Sequence, residues 1–148
     1  NVDLIKSLNA DLILIIAGNQ IIKQEVLNST KYGVFNIHSS LLPNYKGLMP
    51  TFWVLKNNEQ KTGVTLYQLT EGIDNGPIVS SKDFIIPKNM PQSKLIKKLK
   101  ILANDLVIES IDLVEDPENY KESKEGTYFK FPTKEDVKAF YSYNKKFY

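Results

Sequence analysis

Cysteine and arginine are both missing from this chain of 148 residues. Without cysteine the chain has no disulfide, no thiolate nucleophile and no thiolate metal ligand. Since all 19 basic residues are lysines, it also has no guanidinium fork for bidentate recognition of phosphate or carboxylate. A single histidine makes an imidazole-rich zinc site unexpected. We therefore predict no metal in the functional site.

Long apolar runs, a strong net charge and an export signal are also missing. The longest apolar run, residues 12–17, is far too short to span a bilayer. The net charge of +2 is too small to predict nucleic-acid binding. The first residues lack the basic start and apolar segment of a signal peptide. These features predict a cytoplasmic protein with neither a membrane nor a nucleic acid as partner.

Apolar patterns predict strands that alternate with helices. Strands are expected at residues 12–17, 34–38, 63–69 and 77–86, with a short one near residue 128. The first is a continuous apolar run, typical of a strand buried on both faces of a sheet. Apolar residues at helical spacing predict a long helix over residues 92–114, and a C-terminal helix is expected to open at Thr133. The alternation predicts an α/β fold with a mostly parallel sheet flanked by helices.

His38, the single histidine, lies in the stretch FNIHSSLLPNYKG. Asn36 precedes it by two positions, and residues i and i+2 of a strand point to one face, about 6–7 Å apart. The strand then ends in a loop, so both side chains would lie at its carboxyl end, where open α/β sheets place their sites. A lone histidine is nevertheless more often a hydrogen-bonded core residue. The spacing alone therefore favours a structural role.

The segment EGIDNG, residues 71–76, separates two predicted strands. It is typical of a hairpin turn, because Asn and Gly tolerate positive φ. The carboxylate of Asp74 would also suit an imidazole partner, since a nearby anion stabilises the charged ring. Taken as a bare pattern, the turn is the favoured interpretation.

Three ordered motifs resemble those of the folate-dependent formyltransferases. NIHSSLLPNYKG is similar to the family's signature loop, and GVTLYQLTEGIDNGPIV is similar to the motif that carries its catalytic aspartate. AGNQII resembles the segment that packs against the folate's pterin ring. The family includes glycinamide ribonucleotide transformylase, methionyl-tRNA formyltransferase and the sugar N-formyltransferases. The resemblance covers residues 2–114 and implies a Rossmann-like formyltransferase fold.

By this resemblance Asn36, His38 and Asp74 match the family's catalytic residues, and 10-formyltetrahydrofolate is the formyl donor. Asn36 and a protonated His38 would donate hydrogen bonds to the developing oxyanion. Asp74 would hold the imidazolium and take the proton that the amine loses. The resemblance also implies cofactor contacts with two loops, made by Gly18, Asn19, Gln20, Ile21, Ile22, Glu71, Gly72 and Ile73.

The acceptor that the resemblance favours is an amino sugar on a nucleotide carrier, because LMPTFW and YFKFPTKEDV look most like the sugar N-formyltransferases. A methionyl-tRNA or glycinamide ribonucleotide enzyme is an alternative, although a tRNA reader is expected to carry a further basic domain. The same motifs are also compatible with a formyltetrahydrofolate hydrolase and with a non-catalytic remnant that at most binds folate.

Family members open with a βαβ half-sheet that helps to bind the amine, and this pattern is missing here. We therefore expect a fold truncated at its N-terminus, with the catalytic core in residues 1–122 and a strand–helix extension in residues 123–148. The chain alone is expected to bind folate weakly and to turn over poorly. The aromatic C-terminus, AFYSYNKKFY, favours a homodimer contact.

Overall fold

A four-stranded sheet forms the centre of the fold in this computed structural model, which describes residues 2–16, 18 and 21–148. In chain order the strands are β1 Leu12–Ile16, β2 Gly33–His38, β3 Lys46–Gly47, β4 Lys61–Gln68, β5 Ile78–Ile85 and β6 Tyr128–Phe129. The central sheet has the order β1–β2–β4–β5, and β3 pairs with β6 in a small separate sheet.

The central sheet is mixed, so the expectation of a mostly parallel sheet is wrong. β1 and β2 are parallel, whereas β2–β4 and β4–β5 are antiparallel. The reason lies in the connection that follows β2. His38 pairs with Thr65, so β4 begins beyond the end of β2 and the chain enters β4 without first crossing the length of the sheet. The α/β class, with helices flanking the sheet, is confirmed.

Helices in the described part of the chain are α1 Val2–Ser7, α2 Gln24–Leu27, α3 Pro50–Lys56, α4 Gln92–Ser110 and α5 Lys134–Ser142. The predicted long helix is confirmed by α4, whose buried leucines recur at helical spacing and face β4 and β5. A 3-10 turn, Ile111–Glu115, continues it. Within the residues that the structure describes, we find no helix with both the length and the apolar character to cross a membrane.

β1 differs from its prediction. A strand buried on both faces was expected, but β1 lies at the edge of the sheet, its first four residues are half-buried, and Ile16 is 65% exposed. The neighbouring helices are short: α1 has no buried residue and α2 has only Leu27. An apolar run reports a preference for burial, and the burial achieved depends on which elements pack against the strand.

The C-terminal segment packs into the same core as the sheet. α5 begins after Thr133, as predicted, with a capping box that links Thr133 and Asp136. Phe140 is fully buried and stacks on Phe52 with 4.8 Å between the ring centroids, and Phe147 stacks on Phe140. Part of the aromatic C-terminus therefore serves the core of its own chain. The division at residue 122 and the homodimer stay predictions.

Candidate active site

A groove of about 710 Å³ opens at the carboxyl ends of β1 and β2. This volume falls within the roughly 300–1,000 Å³ of small-molecule sites. Its lining comes from the ends of the two strands, from the loop after β1, from residues 47–50 and from the loop between β4 and β5. The position is the one that open α/β sheets use for ligands.

Asn36 and His38 both reach this groove from β2. His38 is buried and Asn36 is half-buried, while Ile37 between them belongs to the hydrophobic core. The alternation along the strand therefore places the amide and the imidazole at one site, as their spacing predicted.

Asp74 reaches the same place from the turn between β4 and β5. Its Oδ2 lies 3.6 Å from His38 Nδ1 and accepts a hydrogen bond of 2.6 Å from the backbone N–H of Gly47. Asp74 itself has a φ of 49°, in the left-handed region that aspartate tolerates in turns. The turn and the carboxylate partner of His38 are thus the same feature.

Both ring nitrogens of His38 face acceptors. Nε2 lies 2.7 Å from the backbone carbonyl oxygen of Tyr45, which can only accept, so Nε2 carries a hydrogen. Nδ1 faces the Asp74 carboxylate. An imidazolium, which has an N–H on each nitrogen, fits both neighbours at once.

Tyr67 is a member of this site that the sequence reasoning missed. It is 1% exposed, its hydroxyl donates to Asp74 Oδ1 at 2.6 Å, and it accepts from Asn36 Nδ2 at 3.0 Å. Burial, and then the Asp74 carboxylate, raise the pKa of Tyr67 above its ordinary value, so the phenol keeps its proton. We call Asn36, His38, Tyr67 and Asp74 the polar wall.

The residues expected to contact folate line the groove wherever the structure describes them. They form what we call the loop wall: Gly18, Ile21, Ile22, Glu71, Gly72 and Ile73. Asn19 and Gln20, which were predicted with them, lie outside the described residues. Ile21 is 88% exposed and Ile73 is 50% exposed. Exposed apolar side chains beside polar groups are what a planar heterocycle needs, so this lining fits a folate.

Comparison with known proteins assigns the family. The family model described as formyl transferase matches residues 1–111. The chain belongs to the formyltransferase family. Methionyl-tRNA formyltransferase from Clostridioides difficile is 37% identical over 115 residues, which make up 78% of this chain and 37% of that enzyme. The chain thus spans less than half the length of that relative.

Solved formyltransferase structures share the fold. The formyltransferase PseJ from Anoxybacillus kamchatkensis, in complex with UDP-4,6-dideoxy-4-formamido-L-AltNAc and tetrahydrofolate, gives a TM-score of 0.74 at 25% identity, over 90% of this chain and 70% of its own. The N-formyltransferase from Helicobacter canadensis, in complex with folinic acid and dTDP-3-aminofucose, gives 0.70 at 26% identity, over 83% and 45%. The formyltransferase fold predicted from the motifs is confirmed.

The formyltransferase match ends at residue 111, yet β6 lies beyond it and reaches the groove. Tyr128 lines the groove, and the Leu48 N–H donates to the carbonyl of Phe129 at 2.9 Å. Gly47 has a φ of 93°, and a Cβ there would overlap the Phe129 carbonyl oxygen and lie 2.7 Å from the Tyr128 ring. Only glycine therefore fits between β6 and the Asp74 carboxylate.

Proposed function

We propose that this chain is the folate-binding and catalytic part of an enzyme that transfers a formyl group from 10-formyltetrahydrofolate to an amine. The observation that carries the proposal is the convergence of Asn36, His38 and Asp74 in one groove of suitable volume. Family membership supports it, because the residues that converge are those that match the family's catalytic motifs.

The polar wall suits attack by an amine on a formyl carbon. Bound 10-formyltetrahydrofolate supplies that carbon as the electrophile, and negative charge develops on its oxygen as the amine attacks. Asn36 donates an N–H to this oxygen, and removing one such donor typically costs about 10²–10³ in rate. The Nε2–H of His38 already faces the Tyr45 carbonyl, so we assign His38 the role of a fixed positive charge beside the oxygen.

Asp74 has two functions in this mechanism. Its carboxylate holds the imidazolium through Nδ1, at 3.6 Å. It is also the base for the proton that the attacking nitrogen must lose, directly or through a water. The bond between the formyl carbon and N10 would then break, and N10 would take up a proton and leave as tetrahydrofolate. Proton transfer by a positioned group contributes roughly 10²–10⁴ to a rate. The Gly47 N–H and the Tyr67 hydroxyl fix the carboxylate for both functions.

The acceptor we propose is an amino sugar on a nucleotide carrier. Two solved structures of similar fold, the A. kamchatkensis and H. canadensis enzymes, hold nucleotide sugars. The net charge of +2 adds no strong field for an RNA backbone. The second candidate is methionyl-tRNA, favoured by the sequence identity with the C. difficile enzyme. A cytoplasmic location also stays a prediction.

The experiment uses the longest natural form of the protein that contains this chain. It is incubated with 10-formyltetrahydrofolate and, separately, with UDP- and dTDP-linked amino sugars, methionyl-tRNA and glycinamide ribonucleotide, and formylated product is measured. We expect formylation of an amino sugar, and we expect Asp74→Ala to reduce its kcat by about 10³-fold. Asp83→Ala is the matched control, because it removes an exposed carboxylate on β5 outside the groove.

Three different results would point to different activities. Formylation of methionyl-tRNA alone would replace the acceptor that we propose. Release of formate without any amine would indicate a hydrolase. Calorimetric binding of 5-formyltetrahydrofolate without turnover on any acceptor would indicate a remnant that only binds folate, and would contradict the proposed function.

A further inference from the structure

Tyr67 joins two of the three residues that match the family's catalytic motifs. Asn36 and Tyr67 face each other across the antiparallel β2–β4 pair. The Tyr67 hydroxyl donates to Asp74 Oδ1 at 2.6 Å and accepts from Asn36 Nδ2 at 3.0 Å. The tyrosine itself is 1% exposed, which shields its side of both bonds from water. One buried hydroxyl therefore lies between the proposed oxyanion donor and the proposed base.

The directions of these two bonds follow from the proton count. A hydroxyl has one hydrogen, and an ionised carboxylate has none to offer, so Tyr67 donates to Asp74. The hydroxyl oxygen can then only accept from Asn36, which turns Nδ2 of the amide towards Tyr67. Asn36 Oδ1 is buried without a hydrogen-bond partner in the described part of the chain, so no second contact of that oxygen fixes the amide.

We infer that Tyr67 is a positioning residue. It holds the Asn36 amide so that an N–H faces the site of the proposed reaction, and it orients the Asp74 carboxylate. The inference rests on the proposed formyl transfer. A primary amide carries two N–H groups, so one remains for the formyl oxygen after the bond to Tyr67. Without the hydroxyl, the amide can turn over and present its carbonyl oxygen, which repels the developing oxyanion. Asp74 would at the same time lose the donor at Oδ1.

The first test is Tyr67→Phe in the longest natural form of the protein. We expect kcat to fall about 10- to 100-fold, the effect of losing a hydrogen bond to a charged group. The KM values and the binding of 5-formyltetrahydrofolate should change by no more than about twofold, because Tyr67 acts on the transition state. Tyr120→Phe is the matched control: it also removes a phenol hydrogen bond, from Tyr120 to the Val114 carbonyl at 2.8 Å, outside the groove.

A double-mutant cycle tests whether Tyr67 acts through the polar wall. In an Asp74→Ala background only the bond to Asn36 remains, so Tyr67→Phe should lower kcat by less than it does in the wild-type protein. Full multiplication of the two separate losses would mean that Tyr67 acts independently of Asp74, and would overturn the inference. An unchanged kcat for Tyr67→Phe alone would overturn it as well.

A third measurement needs neither activity nor a variant. In the ¹⁵N-labelled wild-type protein, the Asn36 side-chain hydrogen that bonds to Tyr67 should lie downfield of the corresponding hydrogen of an exposed asparagine and should exchange more slowly. Asn36 side-chain hydrogens with the shifts and exchange rates of an exposed asparagine would overturn the inference. If the wild-type protein formylates no amine, the proposed function fails, while this measurement still decides whether Tyr67 fixes the amide.

Discussion

The two walls of the groove are built in opposite ways. The polar wall consists of side chains on strands and a tight turn, with His38 6% exposed and Tyr67 1% exposed. Each of its members contacts another through a hydrogen bond or a close ion pair. The loop wall lies on connecting segments, and its isoleucines include Ile21, which is 88% exposed.

This difference suits the two walls to different functions, chemistry at the polar wall and ligand binding at the loop wall. Chemistry requires donors and bases that are held to a fraction of an ångström, which buried side chains with several bonds provide. Binding a large flat ligand requires apolar area that is free before the ligand arrives, which exposed loop side chains provide. We therefore expect substitutions in the polar wall to change kcat and substitutions in the loop wall to change affinity.

After Asp74→Ala, the largest effect is expected for His38→Ala. The loss of the charge beside the formyl oxygen should lower kcat by about 10²–10³. Calorimetric affinity for 5-formyltetrahydrofolate should stay within about threefold, because His38 is not in the loop wall. A large loss of affinity with an unchanged kcat at saturating donor would contradict the separate functions that we assign to the two walls. Circular dichroism should show that the variant remains folded.

A smaller effect, on ligand affinity rather than on kcat, is expected for Ile73→Ala. Ile73 is half exposed in the loop wall, and removing apolar contact area that a ligand would cover should raise Kd for 5-formyltetrahydrofolate by about three- to tenfold. At saturating donor, kcat should be nearly unchanged. Ile101→Ala is the matched control, because Ile101 is 59% exposed and lies on α4 outside the groove. Equal affinities for the two variants would refute the role of Ile73.

The smallest functional effect is expected for Thr133→Ala, which is remote from both walls. The variant loses the N-cap of α5 and a hydrogen bond from its hydroxyl to the Asp136 carboxylate, at 2.8 Å. We expect the free energy of unfolding to fall by about 1 kcal/mol at pH 7, with kcat and Kd unchanged. A change in either functional parameter would mean that α5 acts on the groove.

The pH dependence of the free energy of unfolding provides a second test of Thr133→Ala. The backbone and side chain of Thr133, followed by Lys56, lower the pKa of Asp136 below 3.8. A depressed pKa stabilises the fold above the ordinary value, and the stabilisation is lost as pH falls through the folded-state pKa. Urea unfolding at a series of pH values should therefore show the difference between the wild-type protein and Thr133→Ala narrowing in strongly acidic solution, down to the part due to the bond from the Asp136 N–H to the Thr133 hydroxyl, which does not titrate. A constant difference between them would contradict this assignment.

The sequence predicts the polar wall better than it predicts the sheet that carries it. The period of two along a strand is a local property, so the shared face of Asn36 and His38 could be predicted without any tertiary information. The turn that carries Asp74 is also local. Bringing the turn to His38, however, depended on the family resemblance, because nothing in the residues alone relates two segments so far apart in the chain.

Other features could not be predicted because they depend on pairing. Tyr67 lies opposite Asn36 because of the antiparallel register between two strands. The expectation of a mostly parallel sheet does not predict this pairing. The partial burial of β1 depends on which elements pack against its edge. The backbone groups of Tyr45 and Gly47 at the site carry no side-chain signal at all.

Gly47 has a consequence for where this protein can be cut or rebuilt. The backbone N–H of Gly47 donates to Asp74, and its α-carbon lies against β6, which follows the end of the family match. A chain ended at residue 111 would keep every side chain of the polar wall, yet it would leave the loop that carries Gly47 without the strand that holds it. The unit needed to hold the groove therefore extends beyond the end of the family match. A graft of this site onto another scaffold has to include the final strand.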